Sequence, residues 1–292
     1  MRRWQLAAAD GRKLDVVDAG PLDGLPIVVH HGTPGSAMLA PEWIADAESR
    51  GLRLISHSRP GYAASDRRPG RTVGQVVEDV GAVTNALGIV RFATWGLSGG
   101  GPHALACAAL MPDRVVAASS ISGVAPYPAP GMDWLAGMGE DNVEEFNLAL
   151  SGDEAGVLGA AEQMAAELRN TTVEQVRSAL ASLLSPEDQR IMKGPFGDYL
   201  AASFAEALAA GGAGSADDDL AFVRPWGFEV EQIAVPTQVW QGGQDLMAPA
   251  AHGAWLAGRI PGVDAHLEAD FGHLTVAATG IGAVHSWLAQ HF

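Results

Sequence analysis

The chain has 292 residues, 48% of them hydrophobic, which is enough for one large domain with a sizeable buried core. Its 34 acidic residues against 18 basic ones give a net charge of −16, and no Lys/Arg cluster is dense enough to follow a phosphate backbone, which argues against nucleic acid and anionic membranes as partners. No apolar run reaches the roughly 18 residues that span a bilayer, no signal peptide is read, and the single cysteine, Cys107, sits in an apolar stretch as a buried small residue, so a cytoplasmic protein is expected.

Residues 3–19 read as a β-hairpin, with Asp10-Gly11 supplying a strong two-residue turn signal. Pro26-Ile27-Val28-Val29-His30 is a short apolar run of the kind buried on both faces of a parallel sheet, and it ends in His31-Gly32-Thr33-Pro34-Gly35. A helix over 41–50, a strand over 52–56 and the turn Arg59-Pro60-Gly61-Tyr62 follow. The next helix spans 73–87, with apolar residues at 73, 76, 77, 80, 83 and 87 in helical spacing. A β-rich run then ends in Gly96-Leu97-Ser98-Gly99-Gly100, the helix after it stops before Pro112, and Val115–Ile121 makes another buried strand. Alternating strands and helices predict a parallel, helix-flanked α/β sheet.

From about Val124 to Pro225 the strand signal disappears. Helical stretches over 141–150, 155–169, 172–184 and 197–210 fill the gap, and Gly211–Gly214 with Asp217-Asp218-Asp219 reads as a flexible surface loop. The sheet pattern resumes at 235–241 and 265–268, separated by a helix over 249–260 and closed by one near 275–290. This organisation divides the chain into a core domain, 1–124 and 226–292, and an inserted all-helical cap, 125–225.

Gly-x-Ser-x-Gly between a strand and a helix places Ser98 on a strained turn, where a β-carbon at 96 or 100 would collide with its neighbours. Such a serine is a candidate nucleophile, with an ordinary glycine-rich turn as the plain alternative. A nucleophilic serine needs a base and an acid that orients the base. Gln241-Gly242-Gly243-Gln244-Asp245 puts a carboxylate just past one strand, and Phe271-Gly272-His273 puts an imidazole just past the next. Both fall at the carboxyl edge of the sheet beside Ser98. Taken singly, Asp245 is equally a cap for the following helix and His273 a core histidine; the order Ser98, Asp245, His273 with strand-end placement favours catalysis. His103, His252, His285 and His291 fall on helices and His57 in a turn, as structural or surface residues. The N–H groups of Gly99 and Thr33 are the candidate oxyanion donors.

These segments together resemble the α/β-hydrolase superfamily, in the branch with a helical cap: His30–Gly35 is similar to its oxyanion loop, Arg59–Ser65 to its Arg-Gly-x-Gly-x-Ser turn, Gly96–Gly100 to its nucleophile turn, and Gly243-Gln244-Asp245 and Gly272-His273 to its acid and base segments. The resemblance implies a mostly parallel central sheet flanked by helices, and a serine hydrolase of carboxylesterase type acting on a small, uncharged or weakly charged ester, amide or lactone. It implies neither metal nor cofactor. A serine nucleophile disfavours the aspartate-using branches. A proline-type aminopeptidase, a carbon–carbon bond hydrolase, a cofactor-free haloperoxidase-like protein and a non-enzymatic small-ligand receptor stay open on the same scaffold. Trp134, Phe196, Trp226 and Met247 are candidates for the apolar wall of the substrate pocket, with core packing as their alternative. Oligomeric state is not encoded in any of these signals.

Overall fold

The computed structural model describes residues 1–169 and 172–292. Among them eight strands form one sheet: β1 (Arg2–Ala7), β2 (Lys13–Ala19), β3 (Leu25–His30), β4 (Leu52–His57), β5 (Phe92–Leu97), β6 (Val115–Ile121), β7 (Thr237–Gly242) and β8 (Asp264–Glu268). Their spatial order is β1-β2-β4-β3-β5-β6-β7-β8. The β1–β2 hairpin is antiparallel, β2 runs antiparallel to β4, and every later pairing is parallel. Gly11 takes φ +86° at the hairpin turn, a conformation that glycine adopts without strain.

The side-chain period of two decides what covers the sheet. Ile27 and Val29 of β3 face one way, into a core completed by Trp43 and Ala47 of α1 (Pro41–Ser49) and by Val284 and Leu288 of α11 (Ile281–Ala289). Val28 faces the other way, with Val76, Val80 and Val83 of α2 (Val76–Ala86), Leu105 and Ala106 of α3 (Gly100–Leu110) and Leu256 of α10 (Ala250–Ala257). Central strands β5, β6 and β7 are buried along their whole length, and their sequences carry no charged residue. Edge strands β1 and β8 carry exposed positions.

Among the described residues six α-helices lie between β6 and β7: α4 (Glu140–Leu150), α5 (Glu154–Leu168), α6 (Val173–Ala179), α7 (Pro186–Ile191), α8 (Pro195–Ala207) and α9 (Ala213–Phe222). The predicted helix over 172–184 ends at Ala179, and a separate helix starts where Ser185 caps the N–H of Asp188 at 3.2 Å.

The segment 211–219 is a correction. From Ala213 on it belongs to helix α9, with Asp217, Asp218 and Asp219 all buried. The glycines that read as flexibility are there for close approach: a β-carbon on Gly212 would lie 2.1 Å from Ala161 O, and one on Gly214 would lie 2.8 Å from the Tyr62 ring. The acids are matched by distant bases. Arg67 pairs with Asp217 at 2.9 Å, while Asp218 is held by Arg59 at 2.6 Å and Arg71 at 2.5 Å.

Asp218 is fully buried and also accepts from Tyr62 Oη at 2.8 Å and Thr33 Oγ1 at 2.7 Å. Removing one member of a buried ion cluster strands the others without a counter-charge. Asp218→Ala is therefore expected to lower the unfolding free energy by about 3–5 kcal/mol, read as a reduced urea midpoint at unchanged slope. A loss below about 1 kcal/mol, the level of an exposed pair, would contradict this account.

Candidate active site

The turn between β5 and α3 is built by steric exclusion. A β-carbon on Gly96 would lie 2.0 Å from Gly100 O, and one on Gly100 would lie 2.2 Å from His30 O. With side chains excluded on both flanks, the chain turns tightly enough to hold Ser98 at φ +55°, a left-handed conformation costly for a non-glycine residue. That conformation lifts the hydroxyl onto the wall of a cavity of about 370 Å³, with Thr33, Gly99 and His273 beside it. The far wall comes from α4, α5, α8 and α9, including Phe146, Met164, Phe204 and Phe222.

His273 follows β8 and is 2% exposed. Its Nδ1 lies 2.8 Å from Asp245 Oδ2. Asp245 is fixed in turn: Oδ1 accepts the N–H groups of Met247 and Ala248, both at 2.8 Å, and Oδ2 also accepts Gln241 Nε2 at 3.0 Å. One oxygen thus organises the turn before α10, whose N-cap is Pro249 with no side-chain cap bond, and the other holds the imidazole. With Nδ1 donating to Asp245, Nε2 keeps its lone pair, and among the described residues it has no protein partner. No hydrogen bond joins it to Ser98 Oγ in this structure.

Burial opposes a charge on His273, but the Asp245 carboxylate, its hydrogen bond and the nearby Asp188 outweigh that and raise the imidazole above its ordinary value of 6.5. His30 has no such counter-charge, and at His103 burial and the Arg59 charge outweigh the pull of Asp218, so both imidazoles lie well below that value. His252 is likewise structural, bonding Ala125 N and Trp134 O across the core at 3.0 Å each. The Cys107 thiol is buried and pushed up, away from reactivity.

Thr33 and Gly99 line the same cavity, and neither backbone N–H is used in a hydrogen bond among the described residues. They are close neighbours, since a β-carbon on Gly99 would lie 2.2 Å from Thr33 Oγ1. The loop carrying Thr33 is held from below: Arg59 donates to Gly32 O at 2.9 Å, to Thr33 Oγ1 at 3.0 Å and to His31 O. His31 Nε2 accepts the Arg59 N–H at 2.9 Å.

Of the four candidate wall residues, Met247 lines the cavity. The other three are corrections, because their rings are consumed by packing. Trp134 stacks edge-on against Phe146 and His252 at 4.8 and 5.0 Å and donates to Ala125 O. Phe196 lies against Trp43 and Tyr199 at 5.8 and 5.4 Å. Trp226 lies 5.7 Å from Phe228 and donates to Phe222 O.

Asp188 was not visible as a site residue. Its carboxylate accepts His273 N at 2.9 Å and Leu274 N at 2.8 Å, clasping the backbone of the loop that carries the imidazole. The same carboxylate explains Gly272, where a β-carbon would lie 2.3 Å from Asp188 Oδ2. The Ser-Pro-Glu-Asp run marks a helix start, yet nothing in it shows that the carboxylate reaches a loop 85 residues on. Among the described residues no group of three or more His, Cys, Asp or Glu is arranged to hold a metal ion.

The family model described as alpha/beta hydrolase fold matches residues 26–277. A non-heme chloroperoxidase from Streptomyces lividans is 34% identical over 152 residues, a match that spans 51% of this chain and 55% of that protein. Among solved structures, the enol-lactonase from Burkholderia xenovorans superposes with a TM-score of 0.72 at 20% identity, covering 98% of this chain and all of that one. A thermophilic esterase from Thermogutta terrifontis gives 0.68 at 22% identity, over the whole of both chains. At these identities the structural likeness speaks for the fold.

The charge balance around His273 can be measured directly. The imidazole followed by NMR is expected to titrate above 6.5, and Asp245→Asn and Asp188→Asn should each lower the midpoint, the former more. A wild-type midpoint at or below 6.5 would show that burial, not Asp245, governs the ring.

Proposed function

Because the chain belongs to the α/β-hydrolase family, we propose that it is a serine hydrolase cleaving a small carboxylic ester, or a related amide or lactone, through Ser98, His273 and Asp245. The observation that carries this reading is the 2.8 Å bond from His273 Nδ1 to Asp245, which leaves Nε2 as an unpartnered base on the cavity that Ser98 lines.

The chemistry follows from the positions. Ser98 Oγ attacks the substrate carbonyl while His273 Nε2 takes its proton, and Asp245 steadies the imidazolium so formed. The carbonyl oxygen becomes an oxyanion beside the N–H groups of Thr33 and Gly99, each donor of this kind supporting about 2.7–4 kcal/mol of barrier lowering. The imidazolium returns the proton to the leaving group. Water, activated by the same nitrogen, then releases the acyl group from Ser98. The inserted helices act as a cap that supplies most of the substrate wall and keeps bulk water from the acyl-enzyme.

The base works only when neutral, so turnover should rise with pH through the His273 midpoint and fall away on acidification. The part-length likeness to a chloroperoxidase favours a second reading, a haloperoxidase-like activity at the same serine; bromide- and peroxide-dependent halogenation of a diketone, lost with Ser98→Ala, would support it.

Ser98→Ala should lower kcat by about 10⁶-fold. A fluorophosphonate should label Ser98 of the native protein and leave the variant unlabelled. Retention of more than a few per cent of activity on an aryl acetate, or a native protein that resists the phosphonate, would reject the hydrolase assignment in favour of a passive ligand receptor.

A further inference from the structure

Ser98 stands at the junction of two chambers. Beside the cavity of about 370 Å³ lies a second of about 50 Å³, and Thr33, Ser98, Met247 and His273 line both. The two differ in outlet as well as in size. The larger is bordered by the exposed residues Asp141, Glu167 and Ala179, so it reaches the surface among the inserted helices. Among the described residues none that lines the smaller one is exposed, and Trp43, Leu97, Tyr199, Leu200 and Leu274, which help to close it, are all buried.

The blind chamber is also stiff. Trp43 Nε1 donates to Ala277 O at 2.6 Å, and its ring meets Trp95 and Tyr199 edge-on at 4.9 and 5.1 Å. Tyr199 Oη donates to Met38 O at 3.2 Å, and Ser203 Oγ accepts the Ser36 N–H at 3.3 Å. On the loop side a β-carbon on Gly35 would already lie 2.8 Å from Gly32 O. Side chains locked in this way do not swing aside at little cost, because a packed interior has few voids to receive them. A cavity of about 150 Å³ admits a benzene ring, so a rigid one of about 50 Å³ holds roughly two carbons beyond the reacting centre.

The order of events assigns the ends. In ester cleavage at a serine the alcohol departs while the acyl group stays bonded to Oγ, and water must then reach the acyl carbon. An alcohol seated in the blind chamber would be trapped behind an acyl group that fills the route to solvent. With the acyl chain in the blind chamber, the alcohol leaves and water enters through the open one. We propose that the substrate places a short acyl group, acetyl or propionyl, in the chamber walled by Trp43, Tyr199 and Leu200, and a larger alcohol portion in the chamber lined by Phe146, Met164 and Phe222. This partition rests on the hydrolase reading of Ser98 and gives it a substrate class, short-chain acyl esters of larger alcohols.

Hexyl acetate and ethyl hexanoate are isomers of nearly equal hydrophobicity, so a comparison of the two isolates the partition. Acid release by the full chain, followed by titration at constant pH, is expected to give hexyl acetate a kcat/KM at least about 30-fold above that of ethyl hexanoate, since each surplus methylene in a tight apolar pocket costs about tenfold or more. Leu200→Ala should narrow the ratio at least about tenfold by raising kcat/KM for ethyl hexanoate, a gain that mere structural damage does not produce. A smaller or reversed native ratio overturns the proposal, and should the variant fail to fold, the native ratio still decides. Hydrolysis of both esters at similar rates rejects the partition alone. Absence of acid release from both esters and from 4-nitrophenyl acetate rejects the hydrolase reading, and the partition with it.

Discussion

The carboxylate of Asp218 is the point on which three otherwise separate segments converge. It reaches from α9 to Arg59 in the turn after β4, to Arg71 before α2, and to Thr33 in the loop after β3. Burial by itself would raise its pKa, but the Arg59 and Arg71 charges prevail and hold it well below the carboxylate range. A folded-state pKa depressed in this way means that the stabilisation is present above the unfolded value and lost as pH falls through the folded one. The cluster therefore confers nothing in strong acid and its full effect near neutrality. Its mechanical consequence is that the segment presenting the Thr33 N–H is not a free loop, since Arg59 grips the carbonyls of His31 and Gly32 while Asp218 fixes both Arg59 and the Thr33 hydroxyl.

A second carboxylate from the inserted helices does the matching work on the other side. Asp188 of α7 accepts the two successive N–H groups of His273 and Leu274, so the loop that carries the imidazole is set by the insertion as much as by β8. The helices between β6 and β7 thus reach both flanks of Ser98 through charge-assisted hydrogen bonds, which are stronger than neutral ones. Substrate exchange by wholesale lifting of these helices would break both anchors. Local movement of α4 and α6, neither of which supplies an anchor, demands less.

What could be read from the sequence follows from the range of the interactions. The sheet announces itself through short apolar runs, and the turn at Ser98 through glycines whose absent β-carbons are demanded by neighbours four residues away or on the next strand. Asp245 and His273 were legible because each lies just beyond a strand end, where topology alone fixes its location. Trp134, Phe196 and Trp226 were not, because an aromatic ring on an inserted helix carries the same signal whether it faces a cavity or a core; only the partners Phe146, Trp43 and Phe228 decide. Likewise Asp217–Asp219 reads as a solvated loop as long as the arginines that neutralise it stand about 150 residues away.

Those three aspartates also show how one helix can turn successive side chains to separate partners. At 3.6 residues per turn, successive side chains on α9 point about 100° apart. Asp217 consequently meets Arg67 at the rim, Asp218 meets Arg59 and Arg71 in the interior, and Asp219 turns to the cavity, where Glu145 of α4 waits instead of a base. The first two are satisfied within the chain, and their ion pairs pin the helix in rotation as well as in position.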